Sequence, residues 1–193
     1  MSKFTKEIET TAFGVSKLPG ARMKKLKVAL GCDHIGFELK EQLKRYLIDK
    51  KNAEVVIDPI TSVTLGKGSF IETADVICKG IQHDVCRLGF FICGTGLGFC
   101  TVANTYWGIR AAHASDPYTS QRARKSLNAQ ILCLGSRVLS LEYCKMVVDA
   151  FYDEPFEWSR ESSVANLKLM EEAQYKRAPK PADIAWSMGF CPD

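Results

Sequence analysis

The stretch Phe90-Phe91-Ile92-Cys93-Gly94-Thr95-Gly96-Leu97-Gly98 constrains this chain more than any other. An apolar run delivers the backbone into a loop with three glycines, and Leu97 to Thr105 then continues at helical spacing. The segment therefore reads as strand, tight turn and helix N-terminus. Such a turn aims several backbone N–H groups at one point, and with the helix dipole it suits an anion such as an enediolate or a phosphate. Cys93 ends the strand and faces that point, where the dipole favours a thiolate, so it is a candidate base or nucleophile. The alternative is a buried cysteine that closes a core strand.

The 193 residues suffice for one well-buried domain with appendages. A net charge of +4 with scattered basic residues lacks the electrostatic footprint of a nucleic-acid binder. The eight cysteines include no CxxC pair and lie mostly in apolar stretches, so they read as reduced thiols. No apolar leader and no run of membrane-spanning length is present, which makes the cytoplasm the expected compartment. The three histidines are not spaced as a metal pair with the cysteines, and no metal site is expected.

Taken in order, residues 1–25 form an N-terminal extension interrupted by Gly14, Pro19 and Gly20. Strands are expected at Leu26–Leu30, Glu54–Asp58, Gly89–Cys93, Gly108–His113 and Ile131–Leu134. Helices are expected at Phe37–Asp49, Phe70–Gln82, Leu97–Thr105, Tyr118–Lys125 and Leu141–Tyr152, with a polar loop over Pro59–Ser69. Short apolar strands alternating with amphipathic helices imply an α/β domain over 26–153, a doubly wound, Rossmann-like five-stranded parallel sheet with helices on both faces. Residues 154–193 follow as a C-terminal helical tail, with a helix over Arg160–Lys176 and a proline-rich end carrying Trp186, Phe190 and Cys191. Such a tail is expected to wrap a neighbouring subunit or to pack loosely.

In this architecture ligands bind beyond the carboxyl ends of the strands, at a topological switch point. Asp33-His34 and Cys93 both follow strands directly and are expected to meet in one cleft. His83, beside Asp84 at a helix end, reads as solvated. His113 closes the fourth strand and reads more readily as a satisfied core histidine than as a cleft group.

Gly31-Cys32-Asp33-His34, Ile92 to Gly98, Val102-Ala103-Asn104, Gly108-Ile109-Arg110-Ala111-Ala112, Asp116-Pro117-Tyr118 and Leu134-Gly135-Ser136-Arg137-Val138 occur in an order and spacing that resemble the B-type ribose-5-phosphate and galactose-6-phosphate isomerase family. The resemblance runs from about Leu26 to Arg160. It implies a cofactor-free and metal-independent aldose–ketose isomerase, a dimer or tetramer whose active site is shared between subunits. It further implies that Cys93 moves a proton between the first two carbons of a phosphorylated sugar through a cis-enediol. Thr95 would assist at the neighbouring oxygen, and the amides of Gly94, Gly96 and Gly98 would hold the oxyanion. By the same resemblance Asp33 lies near the ring oxygen, Asn104 holds a hydroxyl, and His34, Arg137 and Arg160 approach hydroxyls or phosphate.

Three positions depart from the family pattern. Ser126, within Lys125-Ser126-Leu127-Asn128, stands where the family's ring-opening histidine is expected, and serine does not titrate near neutral pH. Val164 replaces a second phosphate-binding arginine. Ser69-Phe70-Ile71-Glu72-Thr73 replaces a tyrosine and proline segment. Three accounts of Ser126 stand open: a partner subunit supplies the histidine in a heteromer, the substrate is a tetrose phosphate that needs no ring opening, or His113 or a tail residue substitutes. A subunit that binds sugar phosphate without catalysis is the alternative reading. A nucleotide-binding oxidoreductase is disfavoured, since Gly94 to Gly98 lacks the GxGxxG spacing.

Overall fold

A computed structural model of the chain describes residues 25–67 and 69–176. The expectations for almost all of the N-terminal extension and for the end of the tail, Cys191 included, lie outside the described residues.

Strands β1 (Lys27–Cys32), β2 (Glu54–Ile57), β3 (Leu88–Cys93), β4 (Ala111–His113) and β5 (Ile131–Gly135) form one parallel sheet in the order β2-β1-β3-β5-β4. The described α-helices are α1 (Phe37–Lys51), α2 (Phe70–Gln82), α3 (Leu97–Ala103), α4 (Pro117–Leu127), α5 (Leu141–Tyr152) and α6 (Glu161–Lys176). The central strands read as unbroken apolar runs because both of their faces are covered.

Alternation along β3 divides the core. Leu88, Phe90 and Ile92 face α1, α4 and α5 together with Val28, Leu30, Leu132 and Leu134. Phe91 and Cys93 face α2 and α3 with Ala29, Ile131 and Cys133. The helices follow the same logic: α2 buries Thr73, Ala74, Ile77, Cys78 and Ile81, one face at helical spacing. The Ser69 side chain accepts from the Ile71 N–H to start α2, while Asp116 accepts from the Thr119 N–H to start α4 with Pro117 in its first turn. Asn52 and Asn128 end α1 and α4 in the left-handed region.

The chain leaves β1 for the edge strand β2 and returns to β3 on the other side of β1, so the direction of winding switches between β1 and β3. The carboxyl ends of these strands, Cys32 and Cys93, open there. Some expected boundaries shift. Strand β4 begins at Ala111 rather than Gly108, because a turn closed by the Ile109 N–H on the Tyr106 carbonyl, with Gly108 at φ +71°, delays the chain. Helix α3 stops at Ala103 rather than Thr105, where Asn104 caps it, and the Pro59–Ser69 loop holds a short 3-10 turn at Leu65–Lys67.

Helix α6 lies against its own core. Leu167 and Ser163 are buried, and the Gln174 side chain accepts from the Gly108 N–H and donates to the Tyr106 carbonyl. At the other side of the fold Lys40 is fully buried and donates to Asp58 Oδ1 at 2.7 Å and to the Ile60 carbonyl at 2.6 Å, tying the end of β2 to α1. Burial alone would push its ammonium down, but the bonds to Asp58 and Glu41 more than offset that and hold it above its usual value.

Candidate active site

Cys93 ends β3 on the α2/α3 side, 8% exposed. The Gly96 N–H donates to its Sγ at 3.0 Å, so the loop turns back over the sulfur. That turn needs glycine: Gly96 has φ +85°, and a Cβ there would lie 2.8 Å from His113 Cδ2 and 3.0 Å from the Leu134 carbonyl carbon. Gly135, the partner of Cys93 across β3 and β5, is equally tight, since its Cβ would meet the Thr95 carbonyl oxygen at 2.8 Å. Through this glycine-lined gap the ring of His113 reaches from the edge strand β4 and bonds the Thr95 carbonyl at 2.9 Å through Nε2. A carbonyl only accepts, so that ring nitrogen carries hydrogen. Sequence reasoning weighed His113 as a satisfied core histidine against a cleft group; it is half-buried, satisfied by the Thr95 carbonyl, and holds the loop. Nothing in the sequence announced it, because β4 is separated from β3 by β5.

Two further loops are stitched to this one. Asp33 Oδ1 accepts from the Ile35 N–H at 2.9 Å and the Gly36 N–H at 2.8 Å, and the Asp33 N–H donates to the Ile92 carbonyl at 3.3 Å. After β5, the Ser136 N–H donates to the Cys93 carbonyl at 2.8 Å and the Arg137 N–H to the Gly94 carbonyl at 3.1 Å. The Ser136 hydroxyl reaches the Ile35 carbonyl at 3.2 Å and closes the circuit. The stem of Arg137 lies 3.7 Å from where a Gly94 Cβ would stand, and the residue is exposed. Thr95 is exposed and its hydroxyl accepts weakly from the Leu97 N–H at 3.4 Å. His34 is exposed at the tip of the β1 loop. Asp33, His34, Cys93, Gly94, Thr95, Gly96 and Arg137 thus stand together on the loops after β1, β3 and β5.

Phe70 supplies an apolar wall. Its ring packs 3.5 Å from where a Gly98 Cβ would stand and meets Phe99 edge-on at 5.5 Å, while Phe99 stacks on Phe91 at 4.4 Å. This column explains what a phenylalanine does in the Ser69 to Thr73 segment, where the family pattern has tyrosine.

Two expected site residues are not brought to Cys93 within one chain. Asn104 caps the far end of α3, where its Nδ2 donates to the Cys100 and Ala111 carbonyls at 2.9 Å each and its Oδ1 accepts from the Ala111 N–H at 3.0 Å. Ala111 is level with Ile131 and Gly89, at the amino ends of the strands, so Asn104 fastens α3 to β4 there. The resemblance gave it a hydroxyl; the geometry gives it the β4 backbone. Arg160 starts α6 one turn after Glu157, whose N–H donates to the Lys125 carbonyl at the C-terminal end of α4, at that same remote end of the sheet. Ser126 sits there too, its hydroxyl bonded by Arg122.

The thiols differ sharply in character. Burial pushes Cys32, Cys78 and Cys144 up to about 12. Cys100, beneath the loop, is instead drawn down to about 7, chiefly by a hydrogen bond from the Cys133 thiol, with burial opposing and the His113 backbone and Asn104 amide assisting. A 3.5 Å contact from Cys100 Sγ to the Ala111 carbonyl works the other way. Among the described residues the seven cysteines are all unpaired, no group of three or more His, Cys, Asp or Glu is arranged to hold a metal ion, and no helix is long and apolar enough to cross a membrane.

Comparison with known proteins gives a consistent result. Over 132 residues the chain is 38% identical to a D-erythrulose-4-phosphate isomerase of Pectobacterium atrosepticum, covering 68% of this chain and 86% of that protein. It is 35% identical over 134 residues to ribose-5-phosphate isomerase B of Escherichia coli, covering 69% and 88%. The crystal structure of a ribose 5-phosphate isomerase from Thermotoga maritima superposes with a TM-score of 0.70 at 34% identity, over 76% of this chain and 98% of that one. A family model described as Ribose/Galactose Isomerase matches residues 28–167, which span the sheet, all three stitched loops and the start of α6, and the chain belongs to that family.

Proposed function

We propose that the protein is an aldose–ketose isomerase of a small phosphorylated sugar, with Cys93 as the base. The observation that carries the reading is the Cys93 sulfur held 3.0 Å from the Gly96 N–H at the point where the β1, β3 and β5 loops are stitched together. The Cys93 thiolate removes the proton from the carbon beside the carbonyl, giving a cis-enediolate, and the thiol returns it to the former carbonyl carbon. Thr95, exposed at the rim, moves the second proton between the two oxygens, so atoms and charge balance without an external oxidant or reductant. The Gly96 N–H is held by the Cys93 sulfur and the Leu97 N–H by the Thr95 hydroxyl, so the developing oxyanion falls to the other amides of the Gly94 to Gly98 loop, a contribution worth about 3 kcal/mol of barrier per well-placed donor. Asp33 holds the β1 loop in shape, and His34 and Arg137 lie where they can meet hydroxyls or phosphate.

A four-carbon sugar 4-phosphate is the favoured substrate. With serine at 126 the chain lacks a titrating group for ring opening there, and a tetrose esterified at its fourth oxygen has no hydroxyl placed to close a furanose. Relatives named as D-erythrulose-4-phosphate isomerase and 4-deoxy-4-sulfo-D-erythrose isomerase support this choice. The working unit is a homodimer or homotetramer in the cytoplasm. Arg160 contacts a phosphate only across a subunit boundary, since it stands at the opposite end of the sheet from its own Cys93. Exposed Phe70, Ile71 and Leu97 surround the loop and offer an apolar contact face. The unpaired thiols fit a reducing compartment.

A second reading is a partner-dependent subunit, favoured by Ser126 and by 29% identity to a galactose-6-phosphate isomerase subunit LacB. Assay of the purified chain alone on tetrose, pentose and hexose phosphates, with Cys93→Ala alongside, separates the two. Isomerisation of the tetrose phosphate, abolished in the variant with the fold intact, is the expected result. Silence across the panel, or activity that survives Cys93→Ala, refutes the assignment.

A further inference from the structure

A second polar pocket of about 200 Å3 opens at the amino-terminal edge of the sheet, lined by Arg87, Arg110, Arg124, Asn128, Gln130 and Asp84. The register places Gly89, Ala111 and Ile131 at this edge, four residues along β3 from Cys93 or roughly 13 Å at the rise of a strand. The pocket is therefore not part of the loop cluster described above.

Three guanidinium groups converge here, with Glu171, Glu154 and Asp84 as the acids around them. Arg124 is 8% exposed, and burial with the neighbouring charges of Arg87 and Arg110 draws it down to about 10. Its Nη1 donates to the Ala129 carbonyl at 2.6 Å and to Asn128 Oδ1 at 3.3 Å, but its buried Nε–H has no partner among the described residues. Arg110 donates from Nε to the Asn128 carbonyl at 3.3 Å and stands 3.7 Å from Glu171, a largely exposed carboxylate. Arg87 is exposed at the rim, as is Asp84, and Glu154 is the remaining acid that acts on Arg124. Gln130 is held by the backbone, accepting from the Arg110 N–H and donating to the Gly108 carbonyl at 2.9 Å each.

A strut role for Arg124, resting on the Phe151 ring at 5.5 Å and capping Ala129, accounts for one edge of its guanidinium. It leaves the gathering of Arg110 and Arg87 around the same pocket unexplained. Buried charges and donors are ordinarily paired, and like charges gather where a counter-ion joins them. A planar fork of N–H groups fits a tetrahedral oxyanion in particular, and the volume is several times the ~30 Å3 share of one water.

We propose that this pocket binds a phosphate group, as the free ion or as a phosphate monoester, at a site distinct from the Cys93 loop of its own chain. The inference does not depend on the isomerase reading. Its test is calorimetric titration of the full chain with inorganic phosphate at low ionic strength, in wild type, Arg137→Ala and Arg87→Glu, with Arg45→Glu on exposed α1 as a control of equal charge change. Binding that persists in Arg137→Ala and weakens at least tenfold in Arg87→Glu, but not in Arg45→Glu, is expected. Arg110→Gln should reproduce the loss, and the melting temperatures of the two Glu variants should match. The same titration with a sugar phosphate distinguishes the sources: tighter binding of either ligand at the surviving site supports the proposal and names the form. Loss of all phosphate binding in Arg137→Ala, or equal weakening by Arg87→Glu and Arg45→Glu, overturns it.

Discussion

Replacing Gly135 with alanine tests whether the loop's placement, rather than its chemistry alone, sets the rate. The added Cβ would stand 2.8, 2.9 and 3.0 Å from the Thr95 carbonyl oxygen, carbonyl carbon and Cα, all backbone atoms with no side chain to turn aside. Ordinary contact begins at 3.4 Å, so the Thr95 peptide must retreat by roughly 0.6 Å. That shift draws on the Gly96 N–H bond to Cys93 and on the His113 bond to the Thr95 carbonyl. Overpacking of this kind costs about 1–3 kcal/mol of stability, and since an ångström of misplacement is worth about a hundredfold, kcat should fall by about 10- to 100-fold. Gly31→Ala is the control. The nearest atoms to its Cβ would be side-chain atoms of Ile77, Thr73 and Phe91 at 2.7 to 2.9 Å, on the α2 face rather than the loop, so stability should fall with little change in kcat. Thermal melts with steady-state isomerisation kinetics measure both quantities. A Gly135→Ala enzyme with wild-type kcat, or one that loses no more activity than Gly31→Ala, would refute the reasoning.

The other predictions concern stability. Cys32, Cys78 and Cys144 are raised to about 12 and Cys86 to about 11, all by burial, from an ordinary 9.0. Since folding holds these thiols protonated, their contribution is complete below pH 9 and disappears as pH climbs through the folded values. At about 1.4 kcal/mol per group at pH 10, the four together approach the whole stability of a typical domain. The melting temperature should therefore hold to pH 9 and drop steeply by pH 10.5, and a flat profile to pH 11 would contradict this. Lys40→Ala leaves Asp58 buried with Lys44 as its remaining cation. It should cost about 3 kcal/mol by chemical denaturation, and adding Asp58→Asn should cost less than the two changes measured separately.

The positions of Cys93, Thr95, the loop glycines, Asp33, His34 and Arg137 were legible because each stands within a few residues of a strand's end, and unbroken apolar runs mark the strands covered on both faces. Helices α2 and α5 were legible to the residue, since their apolar positions repeat at helical spacing. Two placements were not legible, and for one reason. Asn104 lies six residues beyond Gly98, near in sequence, yet the helix carries it to the other end of the sheet and the β4 backbone engages its amide. His113 is distant in sequence and separated by a strand, yet Gly96 and Gly135 clear a path for its ring to Thr95.

The sequence alone determined the alternating strands and helices, the parallel sheet they demand, and the glycine loop that presents a thiol at a strand's end, because local periodicity and backbone sterics suffice for these. Tertiary structure decided what depends on strand order. With β5 inserted between β3 and β4, Gly135 faces Cys93, Ser136 and Arg137 join the loop, and three arginines from separate elements meet at the opposite edge. Strand order follows from how the helices pack and from which crossovers close, a property of the whole chain that no single segment encodes.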